Sequence, residues 1–491
     1  MKNKYLLLTA IIAVCLTGCT DYLDIKPKGK DVAEKIEHFD GMLNSTNMIN
    51  LSYSVINEGS MTLLQANSYY FILSDEVDIT AESVKEMNVL EERAYKWMRD
   101  IYTSEYYCAE WGSPYNQNYT LNVIINNVMN AIDGTQEQKK ALFAEASVRR
   151  AFNYLFLAQL FAKPYNSATA ASDLAVPIVN EANTTIREFQ RATIQQVYDF
   201  VIQEMEDNCK YLPVETTFNL RMSRAAGYTL LGKTYFYKGD YQKALENLNI
   251  AFAAMKQSSQ SVVGLFDYNV KMKEWGFNPE QPWAFAMANY PYPNRANYKE
   301  SLYTIQASIP GSFYFYKPST FVKDEYIAKY GPSDLRRNFF AKKSYTGIDE
   351  YPKYRKIQQT AINTCASVPD LYLMLAECEA RVGSADKANE YLLELRKNRM
   401  PAADAPVPAT VATKDDLVKF VIDERLREFM LSGYRWFDIR RLWNDPLFQY
   451  LKAGYTHSDG NGGIISLPED RLVMAIPEKV MVLNTNWENN K

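Results

Sequence analysis

Apolar residues recur at intervals of three and four along most of this chain, the period of a helix that buries one face. The clearest run is Ala144 to Ala162, where Val148, Ala151, Phe152, Leu155, Ala158 and Ala162 form one stripe. Phe156, Leu157, Leu160 and Phe161 widen that stripe, so the helix is expected to be buried on most sides. Lys163-Pro164-Tyr165 should end it, because proline disfavours helical geometry in the residue before it. Weaker helical spacing runs through residues 85–105 and 117–132, the second with Tyr119, Val123, Asn127 and Asn130 on one side.

A second pattern is a repeat. From Arg224 to Met255, the residues Leu231, Gly232, Tyr235, Gly239, Tyr241, Ala244, Leu248 and Ala251 fall on tetratricopeptide spacing, a helix–turn–helix unit. Gly232 allows the two helices to approach, Gly239-Asp240 makes the turn, and Ala244 and Ala251 are small where the partner packs. The closing proline of the repeat is absent; Lys256 stands there. A weaker copy runs from Pro369 to Met400, with Leu375, Ala376, Gly383, Ala388 and Leu392 at matching offsets. Such units cannot bury their faces alone, so further degenerate pairs are expected among residues 117–162.

Between the copies, over about 257–365, the helical pattern breaks. Pro279, Pro282, Pro291, Pro293, Pro310 and Pro318 are interleaved with Tyr290, Tyr292, Tyr298, Tyr303, Tyr314 and Tyr316. Trp283 to Met287 reads as a short strand. The segment is expected to be a loop-rich insertion resting on the helical frame, where binding residues concentrate. Near the end, Thr413 should cap a helix containing Leu417, Val421, Phe429 and Met430, with Gly433 ending it. Residues 423–442 hold five Arg, four acids and no Lys, which points to fixed bidentate pairs in partly buried positions. Residues 454–463 carry four glycines and should form an exposed loop.

The amino terminus changes the picture more than the bulk composition does. Lys2 and Lys4 precede an uncharged, mostly apolar run from Leu6 to Leu16, a secretory signal too short to span a bilayer. Leu16-Thr17-Gly18-Cys19 looks like a bacterial lipobox. Residues 1–18 are then a signal peptide, and Cys19 carries a diacylglyceryl group and an acylated amine. Two or more acyl chains, at about 0.8 kcal/mol per buried CH₂, hold a protein stably on a membrane. Residues 19–31, with Lys26-Pro27-Lys28-Gly29, form the tether, and 32–491 a single domain.

The 491 residues are 47% hydrophobic, enough for a sizeable core. The net charge of −4 argues against a nucleic-acid partner. Cys108, Cys209, Cys365 and Cys378 are scattered, without a CxxC pair, so export permits a disulfide but the spacing indicates none. With only His38 and His457 in the chain, neither near a cysteine, no metal cluster is expected. The residues call for no cofactor and leave a structural calcium ion open.

Taken in order, several stretches resemble the SusD/RagB family of Bacteroidetes outer-membrane lipoproteins. They are Cys19 with Asp21-Tyr22-Leu23-Asp24, Ser74-Asp75-Glu76, Ala144 to Leu155 with Pro164-Tyr165, and Ser333 to Arg337. Lys353-Tyr354-Arg355, Glu424 to Phe429, Gly433 to Arg441, Ile476-Pro477 and Asn484 follow. The end, Trp487-Glu488-Asn489-Asn490-Lys491, departs from the family's usual Gln-Asn-Pro. The resemblance implies a mostly α fold, a tetratricopeptide-like scaffold with an irregular ligand-binding region. It also implies a lipid-anchored, surface-exposed binder without catalysis. Such a protein captures oligosaccharides and passes them to a SusC-like TonB-dependent barrel. A RagB-like peptide binder serving a peptide importer is the alternative, and an extracellular glycoside hydrolase a further one.

Sugar binding has its own signature: ring faces for the C–H faces of pyranoses, and Asn, Arg and Asp for the hydroxyls. Two regions offer it. One holds Tyr69, Tyr70, Asp75, Trp97 and Trp111; the other holds Tyr290, Tyr292, Asn294, Arg295, Asn297 and Tyr298. The second is expected to be the main site, assisted by the first. Hydrolysis would need Glu424 and Glu428, one helical turn apart, but Arg425, Arg427 and Arg435 stand close enough to neutralise them.

Overall fold

Every residue from Ala144 to Phe161 is buried in the computed structural model, as the widened stripe requires. The structure describes residues 33–51, 54–56, 63–65, 68–259, 263–284, 297–308, 320–344, 346–357 and 361–490. The signal, Cys19 and most of the tether lie outside the described residues. The main helices are α1 (Ile36–Leu43), α2 (Ala109–Asn127), α3 (Gln136–Phe161), α4 (Ile194–Asn208) and α5 (Arg224–Lys238). They continue with α6 (Tyr241–Gln257), α7 (Val368–Val382), α8 (Ala385–Lys397), α9 (Lys414–Phe429) and α10 (Tyr434–Leu442).

Helix α3 begins two turns before its apolar stripe, because Thr135 and Gln138 form a reciprocal capping box: Thr135 N donates to Gln138 Oε1, and Gln138 N donates to Thr135 Oγ1. It packs between α2 and α4, while α5 packs on α6 and α7 on α8. The two repeat-like stretches are therefore the hairpins α5–α6 and α7–α8, and a further pair, α2–α3, lies where a degenerate unit was expected. Gly239 turns the first hairpin at φ 81°, a conformation that costs glycine little. Asp240 then caps α6 by accepting from Lys243 N. Leu373, Ala376, Ala388, Leu392, Val421 and Phe429 bury the inner faces of α7, α8 and α9 against one another.

Four strands, β1 (Val77–Asp78), β2 (Phe321–Val322), β3 (Phe340–Lys343) and β4 (Glu350–Lys356), pair antiparallel in the order β1-β2-β4-β3. Val77 faces Val322, and Val322 faces Tyr354, so this sheet ties the early chain to the loop-rich middle. Residues 301–303 pair with 366–367, and 306–308 with 361–363, which holds the middle against the start of α7. A hairpin, β5 (Thr456–Ser458) and β6 (Ile464–Ser466), takes up part of the 454–463 stretch expected as an exposed loop: Tyr455 and His457 are buried, and the loop is confined to residues 459–463.

Three further expectations change. Over residues 85–105 the chain is α-helical only at Val89–Tyr95. Trp97 then takes φ 50°, and its Nε1 donates to Leu73 O at 2.9 Å. The indole's place in the core overrides the helical spacing. Helix α9 ends at Phe429 rather than at Gly433. Leu431 N donates to Glu76 Oε1, and Met430 O accepts from Lys356, so tertiary partners replace the next helical bonds. Gly433, at φ 79°, instead opens α10. Pro282–Ala284 forms a 3-10 turn, and residues 285–287 lie outside the described residues. The cysteines Cys108, Cys209, Cys365 and Cys378 are buried free thiols. Among the described residues no helix is long and apolar enough to cross a membrane.

Gly232 marks the closest approach within a repeat unit. A Cβ there would lie 2.6 Å from Leu248 Cγ and 3.3 Å from Ala244 O. Gly232→Val should therefore force the α5–α6 hairpin apart and cost about 1–3 kcal/mol. A urea or thermal melt of the variant beside the parent measures it.

Candidate functional site

Helix α9 places Glu424 and Glu428 one turn apart on one face. Glu424 is buried, the Glu428 side chain is only 5% exposed, and both carboxylates are met by guanidinium groups. Glu424 accepts from Arg336 at 2.6 Å, Arg396 at 2.7 Å and Arg427 at 2.5 Å. Glu428 accepts from Arg399 at 2.7 Å and Arg336 at 2.8 Å. Arg399 also grips Glu300 at 2.8 Å, and Arg336 grips Asp334 at 2.7 Å. Burial pushes the Glu424 carboxyl upward, but Arg336, Arg427 and Arg396 outweigh it and hold the group well below the usual carboxylate range. A general acid needs the opposite shift.

Of the arginines expected to neutralise this pair, only Arg427 does so. Arg425 spans Asp370 and Asp438, at 2.9 and 3.1 Å. Arg435 makes a two-pronged contact with Asp75 at 2.8 and 2.9 Å, and Tyr326 Oη donates to the same carboxylate at 2.6 Å. Next to Asp75, Glu76 is pushed up to about 8 by burial and by its neighbour's charge.

The first aromatic region is core. Tyr70 packs its ring on Phe156 and Phe437, and Tyr69 packs edge-on to Tyr102. Trp97 and Tyr95 sandwich His457, with ring centroids 3.9 and 4.1 Å away. Tyr69, Tyr70, Asp75 and Trp97 therefore have their faces and polar atoms taken up by protein. Trp111 packs on Phe161 but leaves an edge on a groove beside α2. The role of His457 escaped the sequence. Its two ring nitrogens lie 2.6 Å from Tyr95 O and 2.8 Å from Ser74 O, and burial pushes its pKa down to about 4. Only its place in a short apolar–polar alternation before the glycine loop hinted at a strand.

In the second region, Tyr290, Tyr292, Asn294 and Arg295 lie outside the described residues. Asn297 is exposed. Tyr298 leans on Phe266, at 5.4 Å between centroids, and its hydroxyl donates to Glu300 at 3.3 Å. It lines a cleft of about 130 Å³ together with Tyr268, Tyr330, Phe339, Phe340, Asn363 and Lys356. The buried charge lattice forms the floor through Arg336, Glu300 and Glu428. Rings with amide, carboxylate and guanidinium groups among them can hold a polar ligand with apolar faces. Among the described residues no group of three His, Cys, Asp or Glu is placed to hold a metal ion.

A family model described as "SusD family" matches residues 330–488, and one described as "Starch-binding associating with outer membrane" matches residues 21–236. The chain belongs to the SusD/RagB family. Its α-helical scaffold with tetratricopeptide-like hairpins is the fold of that family's solved members. A SusD superfamily protein from Bacteroides vulgatus superposes with a TM-score of 0.66 at 20% identity, over 93% of this chain and 99% of that one. One from Bacteroides fragilis gives 0.68 at 17% identity, over the same shares. A SusD-like carbohydrate binding protein from Bacteroides vulgatus gives 0.59 at 16% identity, over 83% of each chain. In sequence, the SusD-like protein P2 of Formosa agariphila is 24% identical over 489 residues, covering 90% of this chain and 91% of its own length.

The charge lattice has a measurable acid limb. A carboxyl held below its unfolded value of about 4.3 stabilises the fold above that pH, and the contribution is lost as pH falls through the folded value. Glu424→Gln should leave three guanidinium groups short of charge and cost about 3–5 kcal/mol at pH 7. Chemical melts between pH 7 and pH 3 should show a shallower acid loss in the variant than in the parent.

Proposed function

We propose that this SusD/RagB member is a lipid-anchored protein of the outer-membrane surface that captures oligosaccharides and passes them to a SusC-like TonB-dependent barrel. The observation that carries the reading is the ring-lined cleft at Tyr298, lined also by the ion-paired Arg336, Glu300 and Glu428. Its volume of about 130 Å³ is below the 300–1,000 Å³ common for whole ligands, so it takes one end or edge of a sugar. The protein acts by binding, without catalysis and without a cofactor. Glu424 and Glu428, the pair a glycosidase would need, are committed to arginines. The family model described as starch-binding and outer-membrane-associating and the carbohydrate-binding Bacteroides vulgatus relative support the ligand class.

Two experiments test this. Tyr298→Ala, in the chain from residue 20 onward, should weaken oligosaccharide binding on a glycan array and in calorimetry, with an unchanged melting curve. Peptide binding with no glycan binding would place the protein on the RagB-like branch instead. Cys19→Ala should move the protein from the membrane fraction to the soluble fraction and abolish labelling by radioactive palmitate. Retention of the label would overturn the anchor.

A further inference from the structure

Helix α2 carries a ladder of rings that the charge lattice and its cleft do not use. Trp111, Tyr115 and Tyr119 are spaced i, i+4 and i+8, so they share one face. Their exposure rises along the helix: Trp111 is buried, Tyr115 is half-buried, and Tyr119 is 44% exposed. This face looks into a groove of about 440 Å³ whose other walls are the segment 177–189 and the C-terminal segment 480–487. That volume lies inside the range of ligand sites, and it exceeds the cleft at Tyr298.

The walls are fixed before any ligand arrives. Tyr115 Oη donates to Pro177 O at 2.8 Å, and Asn122 Nδ2 donates to Val179 O at 2.9 Å. Val179 N donates to Tyr154 Oη at 2.7 Å. On the far side, Trp487 Nε1 donates to Phe189 O at 2.9 Å, which sets its indole across from the ladder. These bonds take up the polar edges of Tyr115 and Trp487. Asn118, only 1% exposed on the groove wall, accepts from Asn153, and its side chain also interacts with the Tyr154 hydroxyl. Glu181, Asn183, Thr184 and Arg187 stand exposed on the rim.

We propose that this groove is a second carbohydrate site, selective for neutral oligosaccharides and separate from the face at Tyr298. Rings on both walls suit the C–H faces of a pyranose, whereas the exposed Asn183 amide and Thr184 hydroxyl on the rim suit its hydroxyls. One carboxylate and one guanidinium on the rim give no net charge to attract an anionic sugar. An apolar peptide would strand these polar groups. The inference rests on reading the protein as a carbohydrate binder.

The test uses the chain from residue 20 onward and a panel of maltohexaose, cellohexaose, xylohexaose and mannohexaose. Calorimetric stoichiometry and saturation-transfer NMR are read for the parent, for Tyr119→Ala and for Tyr298→Ala. Tyr119 is exposed, so its loss leaves the fold intact, and a matching Arg187→Ala variant probes the opposite rim. At least one glycan should bind the parent at two sites, with Tyr119→Ala removing one and Tyr298→Ala the other. A single site that Tyr298→Ala abolishes and Tyr119→Ala and Arg187→Ala leave unchanged would overturn the groove alone. Binding of no glycan would overturn the carbohydrate reading with it. An apolar peptide bound in place of the glycans, and lost in Tyr119→Ala, would overturn the ligand class.

Discussion

The interaction on which this structure depends is the buried lattice of carboxylates and guanidinium groups around α9. Glu424, Glu428, Glu300 and Asp334 meet Arg336, Arg396, Arg399 and Arg427 from four separate stretches of chain. Burying one charge without a partner costs several kcal/mol, so no member can move away without leaving a strongly unfavourable orphan. Such a lattice adds little net stability over an apolar core of the same volume. Its effect is specificity: it admits one relative placement of the loop-rich middle, the α7–α8 hairpin and α9.

That constraint also bears on whether Glu424 and Glu428 can do acid–base chemistry. Two carboxylates one turn apart could serve a hydrolase only if one kept a proton near neutral pH. Here each faces at least two guanidinium groups, and Glu424 sits well below the normal range. Burial raises the Glu110 and Glu300 carboxyls, and Glu76 is pushed up to about 8. Its Oε1 accepts from Leu431 N and from Ser74, within the segment that ends α9, so it serves the backbone rather than a substrate. The lattice lines the cleft at Tyr298 and holds Glu424 and Glu428 below the range a general acid needs.

The frame was legible where a local signal has one physical meaning. The stripe of α3, the Gly232 approach, the Gly239 turn and the Thr413 cap each follow from spacing and backbone chemistry. The arginine-rich stretch told of paired charges, but the partners were misassigned: Arg425 and Arg435 reach Asp370, Asp438 and Asp75, the first and last of them more than fifty residues away. Sequence proximity offers Glu424 to all of them equally, and only the fold chooses. The end of α9 was misread for a related reason. Leu431 holds φ 55° because Glu76, from the other end of the chain, takes its N–H.

The two aromatic groups show why rings are hard to place from sequence. Tyr69 to Leu73 form an irregular turn in which every residue is buried, so no alternation separates an inner face from an outer one. Trp97 and Tyr95 each spend a ring face on a histidine some 360 residues further along, a partner that no local pattern announces. On α2 the same residue types obey a helix. A spacing of four places Trp111, Tyr115 and Tyr119 on one side, and burial falls from Trp111 to Tyr119. Aromatic composition alone marks neither core nor site. What separates them is whether the element beneath the ring leaves a face without a protein partner, and on α2 the graded exposure from Trp111 to Tyr119 does so.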